Sequence, residues 1–136
     1  MSITTTWFNP EQTVLLTTFE HDYTLIDYGQ ALKQQRATIA QMNHVVHLVS
    51  IFHTMPTLPR AGISTVSKMV GTIPTNEGLH ILVGQSMFFK MLRSVMQRMY
   101  PDAHRCFLPD VQFATSVGDA LTLIKQYEHE QTAINR

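Results

Sequence analysis

Histidines are the first residues in this sequence to test for chemistry, because seven occur among 136 residues. Histidine can act as a base, a metal ligand or a pH switch. His44 and His47 lie in an extended segment, where residues three apart point to opposite faces, so they cannot chelate as a pair. His47 and His80 lie on two predicted strands. We interpret both as structural histidines with hydrogen-bonded partners, and metal or proton chemistry is the alternative.

No nucleophile in the sequence has a catalytic setting that can be recognised. Cys106 has cationic neighbours in His104 and Arg105, but adjacent residues on an extended chain point apart and no base is specified. We interpret it as an inert packed thiol. The chain has no Gly-x-Ser-x-Gly, Walker A or Gly-x-Gly-x-x-Gly segment. We therefore predict no catalytic residues, no enzymatic activity, no cofactor and no metal.

One loop stands out by its position rather than by a motif. His53 follows the strongest predicted strand, residues 45–52, and opens a loop with prolines at 56 and 59. Proteins of the α/β class commonly bind ligands at the carboxyl ends of their strands, where this loop lies. The residues predicted to form a ligand-binding or partner-binding loop are His53, Met55, Leu58, Arg60, Ser64, Thr65, Gln85 and Ser86.

Strands and helices alternate along the sequence. The predicted elements are strands 3–8 and 13–19, a helix ending at about 42, strand 45–52, helix 63–73, strand 79–83, a helix ending at about 100, strand 111–114 and a final helix. Thr24 and Ser116 are predicted to cap the first and last helices, and Arg36 to face solvent. The order β-β-α-β-α-β-α-β-α predicts an α/β fold with helices packed on a mixed sheet. We expect one domain over residues 1–136, with a tail that frays from about 128.

The predicted helix that ends near residue 100 is rich in methionine. Its apolar positions are Phe88, Met91, Leu92, Val95, Met96 and Met99. Their spacing forms a wide amphipathic stripe, which we interpret as adaptable core; a set of sulfur ligands for a soft metal is the alternative.

The order of elements, together with the closing segment Ser116-Val117-Gly118-Asp119-Ala120-Leu121, resembles the STAS-like fold of sulfate transporter and anti-sigma factor antagonist domains. The resemblance spans almost the whole chain. It implies a regulatory or protein-interaction domain. Many members of that family carry an Asp-x-Ser-Gly-like segment whose serine is phosphorylated to release a partner, and this chain lacks the segment. Ser64 is the candidate modification site that remains, and a simple helix cap is the alternative role for it.

Charge is balanced overall but not along the chain. Ten acidic and ten basic residues give zero net charge, which argues against bulk nucleic-acid binding. Residues 28–100, however, hold seven bases and one acid, whereas the segments on either side are acidic. This polarity predicts a protein partner or a second copy of the chain as a homodimer. No apolar run is long enough to span a membrane and no leader is recognisable, so we predict a cytoplasmic location.

Two functions follow as hypotheses. The first is a non-enzymatic regulatory or protein-interaction domain of the STAS-like type, without a clear phosphorylation switch. The alternative is a small-molecule-binding module with its site at the carboxyl ends of the strands, near residues 56–64. A partner surface would expose apolar side chains such as Met55 and Leu58, whereas a ligand site would be a concave pocket at the helix starts.

Overall fold

The computed structural model describes residues 3–57, 72–101 and 110–134. The elements in these ranges are β1 (Ile3–Trp7), β2 (Val14–Phe19), α1 (Leu25–Ala40), β3 (Val46–Phe52), β4 (Glu77–Val83), α2 (Ser86–Met99), β5 (Gln112–Ala114) and α3 (Val117–Ile134). The described part of the chain therefore has five strands and three helices, which confirms the α/β class. The predicted helix over 63–73 lies mostly outside the described residues, although Thr72 and Ile73 are described and are not helical.

The five strands form one mixed sheet in the order β1-β2-β3-β4-β5. β1 pairs antiparallel with β2, and β2 through β5 are parallel to one another. Asn9 holds the turn of the opening hairpin, because its Oδ1 accepts hydrogen bonds from the backbone N–H groups of Thr13 and Val14 at 3.1 and 3.3 Å. The predicted mixed sheet with an opening hairpin is confirmed.

The helices described cover both faces of the sheet. α1 and α2 pack on one face, against alternate residues that include Leu15, Leu48 and Leu82. α3 packs on the other face through Ala120 and Ile124, which contact residues from the intervening positions. This division follows from the strand period of two, since neighbouring residues point to opposite faces. The predicted packing of helices on the sheet is confirmed.

Local sequence signals fix the ends of the helices. Thr24 caps α1: its Oγ1 accepts the Asp27 backbone N–H at 3.0 Å, and Asp27 Oδ2 accepts the Thr24 N–H at 2.8 Å. This capping box satisfies two donors at the helix start. α3 continues to Ile134, beyond the predicted fraying point at 128. None of the described helices has both the length and the apolar composition needed to cross a membrane.

Candidate functional site

The parallel pairing of β3 and β4 brings the two predicted loop segments to the same edge of the sheet, which we call the carboxyl edge. His53 and Met55 follow β3 and are exposed, and Gln85 and Ser86 follow β4 and are half-buried. The remaining members of the predicted site, Leu58, Arg60, Ser64 and Thr65, lie outside the described residues. The topology thus places four of the eight predicted residues at one edge.

Backbone hydrogen bonds hold the loop that carries Met55. The Thr57 N–H donates to the Tyr23 carbonyl at 3.0 Å, and the Leu25 N–H donates to the Thr57 carbonyl at 2.9 Å. The Tyr23 hydroxyl donates to the Thr54 carbonyl at 2.6 Å, and burial raises the pKa of that hydroxyl. Because both sides of Met55 are tied to the segment before α1, its side chain is presented from an ordered loop.

The turn from β4 into α2 depends on a glycine. Gly84 has φ +85°, and a Cβ at this position would lie 2.4 Å from the Phe52 carbonyl oxygen. Gln85 follows with φ 51° and makes no side-chain capping bond. Only a residue without a side chain allows the backbones of β3 and β4 to approach this closely, so Gly84 fixes where α2 begins.

α2 buries one side and leaves methionines exposed on the other. Phe89, Leu92 and Met96 are buried against the sheet. Met55, Met87 and Met91 are 58, 86 and 57% exposed, and we call these three the methionine surface. The prediction that the methionine-rich stripe is core is therefore wrong for Met91, and also for Met99, which is 67% exposed. The stripe predicted from the sequence is wider than the side that α2 buries, which in this 14-residue helix on a sheet is narrow.

α2 carries basic side chains as well as methionines. Lys90 and Arg93 stand over the Phe113 ring at 5.2 and 5.1 Å, and Arg93 also donates to the Val111 carbonyl at 3.2 Å. Arg98 is exposed further along α2. α2 contains no acidic residue. Its outer side therefore combines apolar sulfur-containing side chains with positive charge.

The opposite edge of the sheet, the amino edge, holds the two buried histidines of the described residues and the buried Arg36–Glu77 pair. His47 on β3 faces α3, where its Nε2 lies 3.2 Å from Glu128 Oε1. Its Nδ1 accepts the Leu79 backbone N–H at 3.0 Å, so the neutral ring carries its proton on Nε2. Burial lowers the pKa of His47, and Glu128 partly offsets this. The predicted structural role, with hydrogen-bonded partners, is confirmed for His47.

His80 on β4 faces the other way, toward α1. Both of its ring nitrogens are buried and have no hydrogen-bond partner among the described residues, so the prediction that His80 is satisfied is wrong. Arg36 on α1 is also buried, at 3% exposure, and its Nε donates to Glu77 Oε1 at 3.2 Å. The predicted solvent-facing position of Arg36 is wrong. Its spacing from Leu32 and Ile39 would have revealed this, since those buried residues lie four before and three after it.

A concave pocket opens beside these residues. We call it the amino-edge pocket; its volume is about 160 Å³ and its lining includes Arg36, Ile73, Glu77, His80, Asp110 and Val111. Burial, and secondarily the charge of Arg36, lower the pKa of His80 to about 3. Burial raises the pKa of Glu77, although Arg36 acts against it. Within the described residues, no three histidine, cysteine or acidic side chains are grouped so as to hold a metal ion.

Comparison of the chain with protein-family models, with curated proteins and with solved structures found no match.

Proposed function

We propose that the chain is a non-enzymatic regulatory or protein-interaction domain of the STAS-like type, which binds its partner through the methionine surface. The sheet supports the proposal, because an antiparallel strand followed by four parallel strands in chain order agrees with the element order that prompted the resemblance. The observation that carries the proposal is the exposure of Met55, Met87 and Met91; the topology brings the Met55 loop and the start of α2, with Met87, to one edge.

Exposed methionines on ordered backbone are suited to partner binding. Their side chains are flexible and polarisable and can adapt to an apolar surface of varied shape. Met87 and Met91 are four residues apart and share one side of α2, and parallel pairing places the Met55 loop at the same end of the sheet. Contiguous exposed apolar groups commonly mark interaction sites.

The charges on α1 and α2 indicate the chemistry of the partner. Lys33 on α1 and Lys90 and Arg98 on α2 are exposed, and none forms an ion pair with another described residue. Asp27 is the one acid on these two helices. An acidic protein surface with apolar side chains would complement this face. A second copy of the chain also has acidic segments. If the partner is the chain itself, the complex is a homodimer.

The two buried histidines, His47 and His80, are poorly placed to act as general bases, which supports a non-enzymatic role. Both nitrogens of His47 are engaged, by a backbone donor and by a carboxylate. His80 lies inside the fold with a pKa near 3, far from the value that suits a general base at neutral pH. A phosphorylation switch at Ser64 remains a prediction.

The test replaces Met87 and Met91 together by serine and uses Met99→Ser as the matched control on the same helix. All three methionines are exposed, so each variant should keep the free energy of unfolding within about 0.5 kcal/mol of wild type. Cross-linking of the tagged chain in its host, with native mass spectrometry of the purified protein, identifies the partner or the dimer.

The double variant should lose at least 10-fold in affinity for the captured partner or for itself, since two central apolar contacts are removed. Met99→Ser should bind as wild type does. Equal binding by the double variant and wild type would contradict the methionine surface as the interface. A wild-type chain that stays monomeric and captures nothing reproducibly would contradict the interaction function itself.

A further inference from the structure

β1 is the outermost strand on one side of the sheet, and among the described strands it pairs only with β2. Its three central residues, all threonines, are exposed. The strand has no charged residue and no proline, which are two means by which proteins keep an outermost strand from pairing with another chain. β5, the outermost strand on the other side, has only three residues. β1 is therefore the side of the sheet that is open to a further strand.

The pairing of β1 with β2 shows which backbone groups of β1 point outward. In an antiparallel pair, residues that exchange hydrogen bonds with the neighbouring strand alternate with residues whose N–H and C=O groups point away from it. The Phe8 N–H donates to the Val14 carbonyl at 2.9 Å, so Phe8 belongs to the bonded set. Alternation along the strand puts Thr6 and Thr4 in the same set. The residues whose backbone groups point outward are Ile3, Thr5 and Trp7.

We propose that two copies of the chain pair through β1, antiparallel and in the register that places Thr5 opposite the partner's Thr5, so that the two sheets join into one. This inference narrows the proposed function. The chain pairs with itself through β1, and the methionine surface is left for a different protein. α2 connects β4 to β5, on the other side of the sheet from β1, so the two interfaces use separate parts of the molecule.

β1 is complementary to itself in this register. Ile3 and the partner's Trp7 lie side by side, and both residue types carry their side chains on the face that packs against α1. Thr4 lies beside the partner's Thr6 on the other face. Pairs of β-branched and aromatic side chains stabilise neighbouring strands, and no like charges meet, because β1 has none.

The number of backbone hydrogen bonds selects the register. Each outward-pointing residue exchanges two hydrogen bonds with the residue opposite to it, so the register centred on Thr5 forms about six. A shift of two residues in either direction leaves about four. A shift of one residue would place an outward-pointing residue opposite one that is bonded to β2, which breaks the pattern.

A cleft beside β1 lies where the partner's tryptophan would reach. Its volume is about 220 Å³, and its lining includes Ile3, Thr5, Asp27, Gln30, Ala31 and Gln34. The partner's Trp7 lies next to Ile3 in the proposed register, on the same face of the joined sheet as this cleft. Its indole ring would cover Ile3, and a buried tryptophan is a common anchor of protein interfaces.

Symmetry favours a second copy in this arrangement over a head-to-tail chain of copies. Pairing of β1 with β1 about a two-fold axis closes the assembly, because it uses the same strand of both copies. Pairing of β1 with the β5 strand of another copy would leave an open strand at each end and would have only three residues of β5 to bond with.

Sedimentation velocity of the full chain from micromolar to millimolar concentration measures the dimer. One short strand from each copy buries less surface than the roughly 1,600 Å² of a standard interface, so we expect a reversible dimer with a micromolar Kd. Thr5→Pro removes an outward N–H and leaves the bonds between β1 and β2 in place, since proline is tolerated on an outermost strand where the N–H faces solvent. It should raise the Kd at least about 10-fold, because each copy loses a hydrogen bond.

Thr5→Val is the matched control. Both variants lose the Thr5 hydroxyl, which lies 3.1 Å from Thr17 Oγ1, but only Thr5→Val keeps the backbone N–H. It should dimerise as wild type does. Urea unfolding of each variant shows whether the fold is kept. Equal Kd values for Thr5→Pro and Thr5→Val would overturn the proposal.

A charge exchange at the same position tests the register and the identity of the partner. Thr5→Lys and Thr5→Glu should each be monomeric, because the two-fold axis places like charges directly opposite each other. An equimolar mixture should form a heterodimer, since the opposite charges then face each other. Neither result depends on Thr5→Pro, so this pair decides the question if the proline variant does not fold.

Three results would contradict pairing through β1. The first is a wild-type chain that stays monomeric at millimolar concentration, even if it captures an extended peptide. The second is a mixture of Thr5→Lys and Thr5→Glu that forms no heterodimer. The third is a dimer that is lost when Met87 and Met91 are replaced by serine and is kept in Thr5→Pro, which would assign self-association to the methionine surface instead.

Discussion

His47 and His80 lie on neighbouring strands, are almost equally buried at 2 and 5% exposure, and have opposite hydrogen-bonding states. The pairing of β3 with β4 is irregular between Val46 and Leu48, beside His47. There the Leu79 N–H donates to the His47 ring. Gly78 makes room, since a Cβ on it would lie 2.4 Å from His47 Nδ1. The α3 face thus supplies a partner for each nitrogen of its histidine.

On the α1 face, no described residue forms a hydrogen bond with either ring nitrogen of His80. Arg36 and Glu77, the charged side chains nearest to it on α1 and β4, are paired with each other. Further along the same face, Gln35 Oε1 and Ser50 Oγ are also buried, and the described part of the chain offers them no hydrogen-bond partner. Nearly equal burial therefore leaves the two histidines with different hydrogen bonding. A histidine that is hydrogen-bonded by backbone and helix is stabilised where it lies, whereas one that is buried without hydrogen bonds carries the full desolvation penalty of its ring nitrogens.

Replacement of Arg36, which lies beside His80 on the α1 face, should have the largest effect on the free energy of unfolding. Arg36→Met leaves Glu77 buried without its cation, and such a change typically costs about 3–5 kcal/mol in the free energy of unfolding. Urea unfolding measures it. Because Arg36 lowers the pKa of His80 and does not act on that of His47, the pKa of His80 should also rise in this variant, while that of His47 should not.

The double variant Arg36→Met with Glu77→Gln is the control, since it removes both charges and should recover most of the lost stability. If the free energy of unfolding of Arg36→Met lay within about 1 kcal/mol of the wild-type value, the buried ion pair would not be a structural requirement of the α1 face.

Replacement of His47, the histidine with hydrogen-bonded partners, should have the next largest effect on the free energy of unfolding. His47→Leu leaves the Leu79 N–H without its acceptor, which should lower the free energy of unfolding by about 1–3 kcal/mol. Glu128→Leu removes only a half-exposed acceptor on α3 and should change it by less than about 1 kcal/mol. Chemical denaturation compares the two. Equal losses would mean that Glu128, rather than the β4 backbone, holds His47 in place.

Sequence could predict the parts of the molecule that depend on local signals. The Thr24 capping box and the opening hairpin are examples, because a few adjacent residues specify each of them. The pocket depends instead on contacts between distant segments. Arg36 and Glu77 are 41 residues apart in sequence, and no local pattern predicts that they will form an ion pair inside the fold. For the same reason, both strand histidines looked alike in sequence and only the structure separated them.

The pH dependence of stability gives the smallest effect and isolates His80. Its pKa falls from the usual 6.5 to about 3 on folding, so the unfolded chain binds more protons between these values and stability falls as pH falls. Between pH 7 and pH 6 this amounts to about 0.7 kcal/mol. His47, whose pKa is also lowered, acts in the same direction, and Glu77, whose pKa is raised, acts in the opposite one. Both remain in His80→Leu, so the difference between the variant and wild type reports His80 alone.

His80→Leu should be at least as stable as wild type at pH 6, because apolar groups replace unpaired polar ones, and its stability should depend less on pH. Parallel pH profiles for the two proteins would mean that the His80 ring is hydrated or protonated in the folded state, which would remove the contrast with His47.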